Sequence, residues 1–225
     1  PDIFFSQFTG AELVADKWNL SREDLDQFAL ESHQKAAHAT ESQYFDREIL
    51  PVEGKNAEGI NDLVMADEGI RFDASLDKLA GLNPVTEGGK ITAGNASQIT
   101  DGAAAVLICN DAGLKKIKSN PRAEIVSISV VGDDPVFMLT GPIPASHKAL
   151  DIAKLSIDDM DIYEVNEAFA PVPLAWAEEL KADRSKLNVN GGAMALGHPL
   201  GATGAKLMTT MLHELERRKG KYALQ

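Results

Sequence analysis

A single imidazole lies inside a run of glycines near the end of the chain. His198 stands between Gly197 and Pro199, and five glycines lie between positions 191 and 204. Inside a helix each glycine costs about 1 kcal/mol relative to alanine, so these residues serve backbone geometry instead. The run predicts either a histidine presented as a general base or a tight strand-to-helix crossover with a hydrogen-bonded histidine. Glycine content alone leaves both interpretations open.

Several other kinds of site do not fit this sequence. The glycine run lacks the Gly-Lys-Ser/Thr of a phosphate loop and the later acidic residue of a dinucleotide site. His33 and His38 are five residues apart and do not share a helix face, while His147 and His213 stand alone; all four are interpreted as surface or structural. Cys109, the single cysteine, lies in an apolar run and is expected to be a buried, inert thiol. No metal site is predicted.

A second cluster, Asn166-Glu-Ala-Phe-Ala170, stands where a strand should end and a helix begin. Sheets of α/β proteins often present ligand-binding side chains at such positions. The Asn166 amide could hold a water or an oxyanion. Asparagine is also a common helix N-cap, and the local sequence favours the cap. Glu167 fits a buried hydrogen-bond partner or a first-turn carboxylate favoured by the helix dipole.

A third cluster, residues 92–104, is dense in small side chains and ends in an apolar run. Small residues let a slender ligand lie against the backbone. The alternative is a loop leading into a helix or strand, and the local sequence favours that alternative.

Periodic apolar residues predict the helices that position these clusters. Helical spacing begins at Phe8, and a capping-box pattern at Ser21 and Asp24 starts a long helix. Residues 51–89 indicate a surface excursion, and Pro171 and Pro173 should kink or delay the helix after the second cluster. The predicted helices cover residues 22–43, 75–80, 145–153, 167–180 and 205–218.

Apolar runs, alternating or continuous, predict the strands. Their ranges are 103–109, 124–131, 160–165, 187–189 and 222–224. Residues 103–109 could also form a helical turn, but their flanks favour a strand. Beyond residue 123 strands alternate with helices, which indicates an α/β fold with a central sheet.

Composition excludes some classes of partner. With 34 acidic and 22 basic side chains the formal charge is -12, which repels nucleic acids and anionic lipid surfaces. No apolar run is long enough to span a bilayer, so no membrane or nucleic-acid partner is expected. A single cysteine excludes an intrachain disulfide framework and is typical of a reducing cytoplasm, the predicted location.

Together the three clusters resemble the thiolase family in order and spacing. Residues 188–206 are similar to its long glycine-rich signature, residues 166–170 to its Asn-Glu-Ala-Phe motif, and residues 92–104 to its CoA-binding segment. The resemblance implies a layered α/β/α architecture with a mixed sheet, plus a mainly helical and irregular loop domain. It further implies three parts: residues 1–99 in the loop domain, 100–121 in the last strand region of the N-terminal domain, and 122–225 in a C-terminal domain incomplete at its end.

The resemblance also implies roles for the cluster residues. Thiolases form or cleave 3-ketoacyl-CoA thioesters through a cysteine acyl-enzyme, and they use no cofactor beyond the CoA thioesters themselves. His198 would activate the nucleophilic cysteine and help form an oxyanion hole, and Asn166 would position a water in a second oxyanion hole. The residues implied to contact CoA or the acyl chain are Ala93, Gly94, Ser97, Phe169 and Arg71, the last at the nucleotide end. The whole protein would be a homo-oligomer, either a dimer or a tetramer.

Two departures from the family pattern shape the functional prediction. The nucleophilic cysteine and a second cysteine in a Cys-x-Gly segment are both missing, so we expect a truncated thiolase that is inactive alone. The alternative is a non-catalytic, thiolase-like acyl-CoA-binding protein. His198 and Asn166 favour the first, because a binding module needs neither. A ketoacyl synthase would be expected to show two histidines instead of this pair.

Overall fold

The computed structural model describes residues 6–55 and 58–225. Two helices open it, α1 at Gln7–Lys17 and α2 at Arg22–Glu41. The predicted capping box is confirmed: the Ser21 hydroxyl accepts from Asp24 N, and the Asp24 carboxylate accepts from Ser21 N at 2.8 Å. These two bonds satisfy amides that a helix start would otherwise leave without partners, which fixes where α2 begins.

The predicted surface excursion is confirmed for the residues described in it; residues 56–57 lie outside them. It contains an antiparallel hairpin of β1, Val52–Lys55, and β2, Asn61–Val64. The short helix predicted near 75–80 is α3, Leu76–Ala80, capped by the Ser75 hydroxyl. Leu79 of α3 is buried in the main core, so the excursion is anchored there.

Beyond the excursion, five helices and two short strands follow. They are α4 at Asp111–Ile117, α5 at Pro142–Ala153, β3 at Ile162–Tyr163, α6 at Pro171–Leu180, α7 at Ala193–Leu196, α8 at Thr203–Arg218 and β4 at Ala223–Leu224. The helix predicted after the second cluster is indeed delayed, and it begins at Pro171. Proline suits this first helical position, where no amide hydrogen is needed.

The core lies around α6, which packs against α1 and α5. Trp176 is 1% exposed; its ring lies 5.4 Å from that of Tyr163, and its indole N–H donates to the Ser146 hydroxyl at 2.9 Å. The α/β prediction is confirmed on a small scale. Strands β3 and β4 pair in parallel, and Tyr163 makes a further parallel bridge to Leu187.

Two predicted strands are wrong. Residues 103–109 and 124–131 form neither helix nor strand, and most of their apolar side chains are exposed, including Leu107 at 77% and Val130 at 82%. A strand needs a neighbour to satisfy its backbone amides and carbonyls, and no segment of residues 6–55 and 58–225 pairs with either run. The burial predicted for Cys109 is wrong for the same reason, since the thiol is exposed.

None of the helices in the described part of the chain is both long and apolar enough to cross a bilayer.

Candidate functional site

The second and third sequence clusters are joined by backbone hydrogen bonds. Ser97 N donates to Ala168 O at 2.9 Å, and Ala170 N donates to Asn95 O at 2.9 Å. Between these bonds Ala96 and Phe169 form an antiparallel bridge. The two clusters, some seventy residues apart in sequence, therefore form one continuous surface.

Gln98 ties the glycine run to this surface. Its side-chain amide donates to Gly69 O at 2.7 Å and to Met194 O at 2.8 Å. The backbone carbonyl of Gln98 accepts from His198 N at 3.2 Å. Sequence analysis did not single out Gln98, because only the folded chain brings its three partners together. All three clusters thus meet around one histidine.

The His198 imidazole lies between two polar side chains. Its Nε2 is 3.4 Å from Asn166 Nδ2, and its Nδ1 is 2.6 Å from Thr203 Oγ1. Burial lowers the pKa of His198 below its usual value, so the imidazole is neutral and able to accept a proton at neutral pH. Both interpretations of the glycine run, a presented base and a hydrogen-bonded histidine at a crossover, are compatible with these contacts.

Gly197 sets the direction from which the imidazole enters the site. Its φ is +79°, which side-chain-bearing residues rarely adopt, and a Cβ there would lie 2.4 Å from Thr100 Oγ1. Residue 197 must therefore be glycine for His198 to keep its position.

Asn166 does not cap a helix, so the N-cap interpretation is wrong. Helix α6 begins five residues later, with Ala170 at its N-cap position. The side-chain nitrogen of Asn166 points to His198, and its Oδ1 is buried without a hydrogen-bond partner. A neutral imidazole beside amide N–H donors can remove a proton and stabilise a developing oxyanion, the two demands of enolate chemistry.

Glu167 anchors the site to α2, as the buried-partner interpretation expected. Its carboxylate accepts from the Ser32 hydroxyl at 2.6 Å, Asn188 Nδ2 at 2.9 Å and Met194 N at 3.2 Å. Ser32 Oγ in turn accepts from Gly192 N at 3.0 Å. A Cβ on Gly192 would lie 2.2 Å from the Glu167 carboxyl carbon, so the glycine lets the backbone approach the carboxylate.

Glu164 is a second buried carboxyl, and its side chain has no hydrogen-bond partner. It is 2% exposed, and neither Oε1 nor Oε2 has a partner. Burial raises the pKa of Glu164 well above its usual range, and the neighbouring Glu167 raises it further. The carboxyl is therefore protonated in the folded chain at pH values where it ionises when unfolded.

This difference makes folding stability depend on pH. The folded state holds a proton that the unfolded state releases, so the Glu164 contribution to stability is complete below its unfolded pKa and is lost as pH rises towards its folded pKa. We expect Glu164→Gln, which mimics the neutral form, to raise Tm at pH 8 and to leave it almost unchanged near pH 4. Thermal unfolding across this range tests the prediction. Glu178→Gln, at an exposed position on α6, is the matched control. If Glu164→Gln changed Tm equally at pH 4 and pH 8, the prediction would be contradicted.

Three of the predicted CoA-contacting residues, Ala93, Gly94 and Ser97, belong to the third cluster, and Arg71 lies apart from it in sequence. Ser97 is half-buried beside the Ala96–Phe169 bridge, and Ala93 is exposed. A Cβ on Gly94 would lie 2.6 Å from the side-chain ends of Leu79 and Leu82, which would have to shift to admit it. The Arg71 side chain is exposed, and its backbone N donates to His33 Nδ1 at 3.0 Å.

The Phe169 side chain is buried. It is 5% exposed, and its ring packs edge-to-face under Phe8, with ring centres 5.3 Å apart. Phe8 itself is 40% exposed. Phe8 therefore presents the aromatic surface here, a role that helical periodicity alone could not reveal.

Two of the other histidines, His33 and His213, have structural surroundings, while His147 is exposed. His33 accepts the Arg71 amide, and His213 Nδ1 lies 2.9 Å from Thr209 O and 3.2 Å from Glu48 Oε2. Within residues 6–55 and 58–225 no group of three or more histidine, cysteine or acidic side chains could hold a metal ion.

Comparisons with known proteins agree with the grouping of these clusters. The family description "Thiolase, N-terminal domain" matches residues 3–112, and "Thiolase, C-terminal domain" matches residues 119–225. The chain is 56% identical over 224 residues to the steroid 3-ketoacyl-CoA thiolase FadA6 of Mycobacterium tuberculosis, covering 100% of this chain and 54% of that protein.

Solved structures with a similar fold are also thiolases or acetyltransferases. The acetyl-CoA acetyltransferase of Bacillus anthracis superposes with a TM-score of 0.93 at 40% identity, covering 100% of this chain and 58% of that one. Human mitochondrial 3-ketoacyl-CoA thiolase in complex with CoA superposes with a TM-score of 0.88 at 45% identity, covering 96% and 53%. The chain thus spans about half the length of the relatives it matches.

Proposed function

Because the chain belongs to the thiolase family, we propose that it supplies the base and the oxyanion donors of an enzyme that forms or cleaves 3-ketoacyl-CoA thioesters. The observation that carries the proposal is the pairing of His198 with Asn166 at 3.4 Å. An acyl-CoA-binding module would need neither a neutral imidazole nor a buried amide beside it.

In the proposed reaction His198 serves the first half. Its Nε2 takes the proton of a cysteine thiol, and the resulting thiolate attacks the thioester carbonyl while the protonated imidazole donates to the carbonyl oxygen as negative charge develops there. The C–S bond to CoA then breaks, the CoA thiolate leaves with the proton of the imidazole, and an acyl-enzyme remains.

Asn166 serves the second half. The second cysteine, as a thiolate, takes a proton alpha to a second thioester, and the Asn166 amide holds a water or donates directly towards the oxygen of the resulting enolate. The enolate carbon attacks the acyl-enzyme carbonyl, and the C–S bond to the first cysteine breaks to release the 3-ketoacyl-CoA and the cysteine thiolate. In the thiolytic direction the same donors stabilise the departing enolate.

The nucleophilic thiol is proposed to come from sequence outside these 225 residues. Cys109, the single cysteine, lies on an exposed segment just before α4 and makes no hydrogen bond to His198. The second cysteine, the one expected in a Cys-x-Gly segment, is also proposed to come from sequence outside these 225 residues. The substrate class is a 3-ketoacyl-CoA, the wording shared by the names of two matched thiolases.

CoA is proposed to lie along the surface that joins the second and third clusters. Ser97, Ala93 and Gly94 offer small side chains for the pantetheine arm, and exposed Arg71 offers a cation for the nucleotide phosphates. Phe169 packs beneath Phe8, which presents its exposed ring at this surface. The net charge of -12 makes such a local cation necessary.

Thiolysis of acetoacetyl-CoA tests the function. The 225-residue chain alone is expected to show no cysteine-dependent turnover, and the product of the longer reading frame, if it supplies both cysteines, is expected to be active. A reading frame without a Cys-x-Gly segment beyond Gln225, together with calorimetric CoA binding by the chain, would overturn the enzyme in favour of a non-catalytic acyl-CoA-binding protein. Turnover by the chain alone that depends on Cys109 would contradict the assignment of an external thiol.

The setting is proposed to be cytoplasmic, and the whole protein is proposed to be a homo-oligomer. A single, exposed cysteine supports a reducing compartment. Light scattering on the longer gene product tests the oligomer, and a monomeric mass would contradict it.

A further inference from the structure

Thr203 lies on the side of the His198 ring away from Asn166. It is the first residue of α8 and is 6% exposed. Its hydroxyl oxygen is 2.6 Å from His198 Nδ1 and 3.1 Å from Pro199 O. The Pro199 carbonyl is itself fixed, because it accepts from Ala202 N at 2.8 Å and from Thr203 N at 3.0 Å.

The protons of this group form one consistent chain. A carbonyl only accepts, so at the 3.1 Å contact the Thr203 hydroxyl donates to Pro199 O. With its proton there, the hydroxyl oxygen accepts at the 2.6 Å contact, an arrangement that places a proton on His198 Nδ1. His198 Nε2 is left with a free lone pair, and the donor Asn166 Nδ2 faces it at 3.4 Å.

We propose that Thr203 is a positioning residue that holds His198 in the tautomer with the proton on Nδ1 and the lone pair on Nε2. This inference rests on the proposed function for its effect on catalysis, but the tautomer itself can be tested without any activity. A base can accept a proton only through a free lone pair, so the opposite tautomer would direct an N–H towards the thiol that must lose its proton.

The opposite tautomer requires a rearrangement at both ends of the ring. An N–H on Nε2 would face the Asn166 N–H groups until the amide turned its partnerless oxygen towards the ring. The Thr203 hydroxyl would also have to leave Pro199 O in order to donate to Nδ1. The glycine run did not predict the contact between Thr203 and His198, because threonine is common where a helix begins.

Two substitutions at this position separate the hydroxyl from the shape of the side chain. Thr203→Val keeps the volume and branching but leaves Nδ1–H without an acceptor, so the proton is expected to move to Nε2. The Asn166 amide can then rotate to place its oxygen, now without a partner, against that N–H. Thr203→Ser keeps the hydroxyl and is expected to preserve the original tautomer.

Nitrogen NMR of the chain labelled with ¹⁵N-histidine tests the tautomer directly. The His198 signals are assigned by their absence in His198→Asn. We expect an unprotonated Nε2 and a protonated Nδ1 at pH 8 in the unsubstituted chain and in Thr203→Ser, and the reverse in Thr203→Val. A protonated Nε2 in the unsubstituted chain, or an unchanged tautomer in Thr203→Val, would overturn the proposal whether or not the protein is a thiolase.

The effect on catalysis is measured as kcat and KM for thiolysis in a longer gene product that supplies both cysteines. Thr203→Val is expected to lower kcat for thiolysis about 10²-fold, the lower range for loss of general base catalysis, with little change in KM for CoA. Thr203→Ser is expected to retain activity within a few-fold. If NMR shows the tautomer reversed while kcat is unchanged, the inference fails in its catalytic part; if NMR confirms the tautomer in an inactive gene product, only the proposed function fails.

Discussion

Replacing His198 by asparagine is expected to lower kcat/KM for thiolysis of acetoacetyl-CoA by about 10²–10⁴-fold in the cysteine-containing gene product. Asparagine approximates the size of imidazole and can donate a hydrogen bond, but it cannot accept the thiol proton at neutral pH. Burial keeps the His198 pKa below its usual value, so the unsubstituted imidazole has a lone pair that can accept a proton at neutral pH. The rate of cysteine alkylation by iodoacetamide should fall in parallel, because the thiolate is the reactive form.

A matched control guards against a general effect of losing a histidine. His147 lies exposed on α5, and His147→Asn should leave both kcat/KM and the alkylation rate unchanged. Circular dichroism establishes that each variant is folded. A folded His198→Asn variant with unimpaired alkylation and turnover would rule out this histidine as the base.

The largest effect on stability is expected for Glu167→Ala. The substitution leaves the Ser32 hydroxyl, the Asn188 amide and the Met194 N–H without their acceptor in a buried space. Removing the acceptor from such a network costs about 3–5 kcal/mol of unfolding free energy. Urea denaturation measures this loss, and the fluorescence of Trp18 and Trp176 reports it because both rings are buried.

A second substitution separates hydrogen bonding from volume. Glu167→Gln nearly keeps the size, but its NH₂ group would face donors, so it should recover only part of the loss. Glu178→Ala, at an exposed site on α6, should change the free energy by less than about 0.5 kcal/mol. Equal destabilisation by Glu167→Ala and Glu178→Ala would show that the three bonds contribute nothing.

Helices could be predicted from the sequence because their signals are local. The capping box at Ser21, the apolar period of α2 and the delay of α6 to Pro171 each depend on residues within a few positions of one another. A base at His198 remains a prediction, one of two options that the glycine run allowed, since glycine content constrains the backbone but not the partners of a side chain.

The strands were predicted less well because a strand depends on a neighbour. Residues 124–131 alternate as a strand should, yet instead Ser127 and Ser129 donate to carbonyls of α5 at 2.9 and 2.6 Å. Asn166 failed as a predicted cap for a related reason. The local preference for a cap was outweighed by a contact with a histidine 32 residues away, which no sequence window contains.

The Ser32 contact has a consequence for the order of folding. Ser32 binds both Glu167 and the backbone of Gly192, so the loop that delivers His198 is shaped by a helix about 160 residues earlier in the chain. Closing so long a loop is entropically costly and slow, and contacts of this kind form late. We therefore expect His198 to reach its folded position only after α2 has docked. The site around His198 should thus form late in folding, after most of the helices.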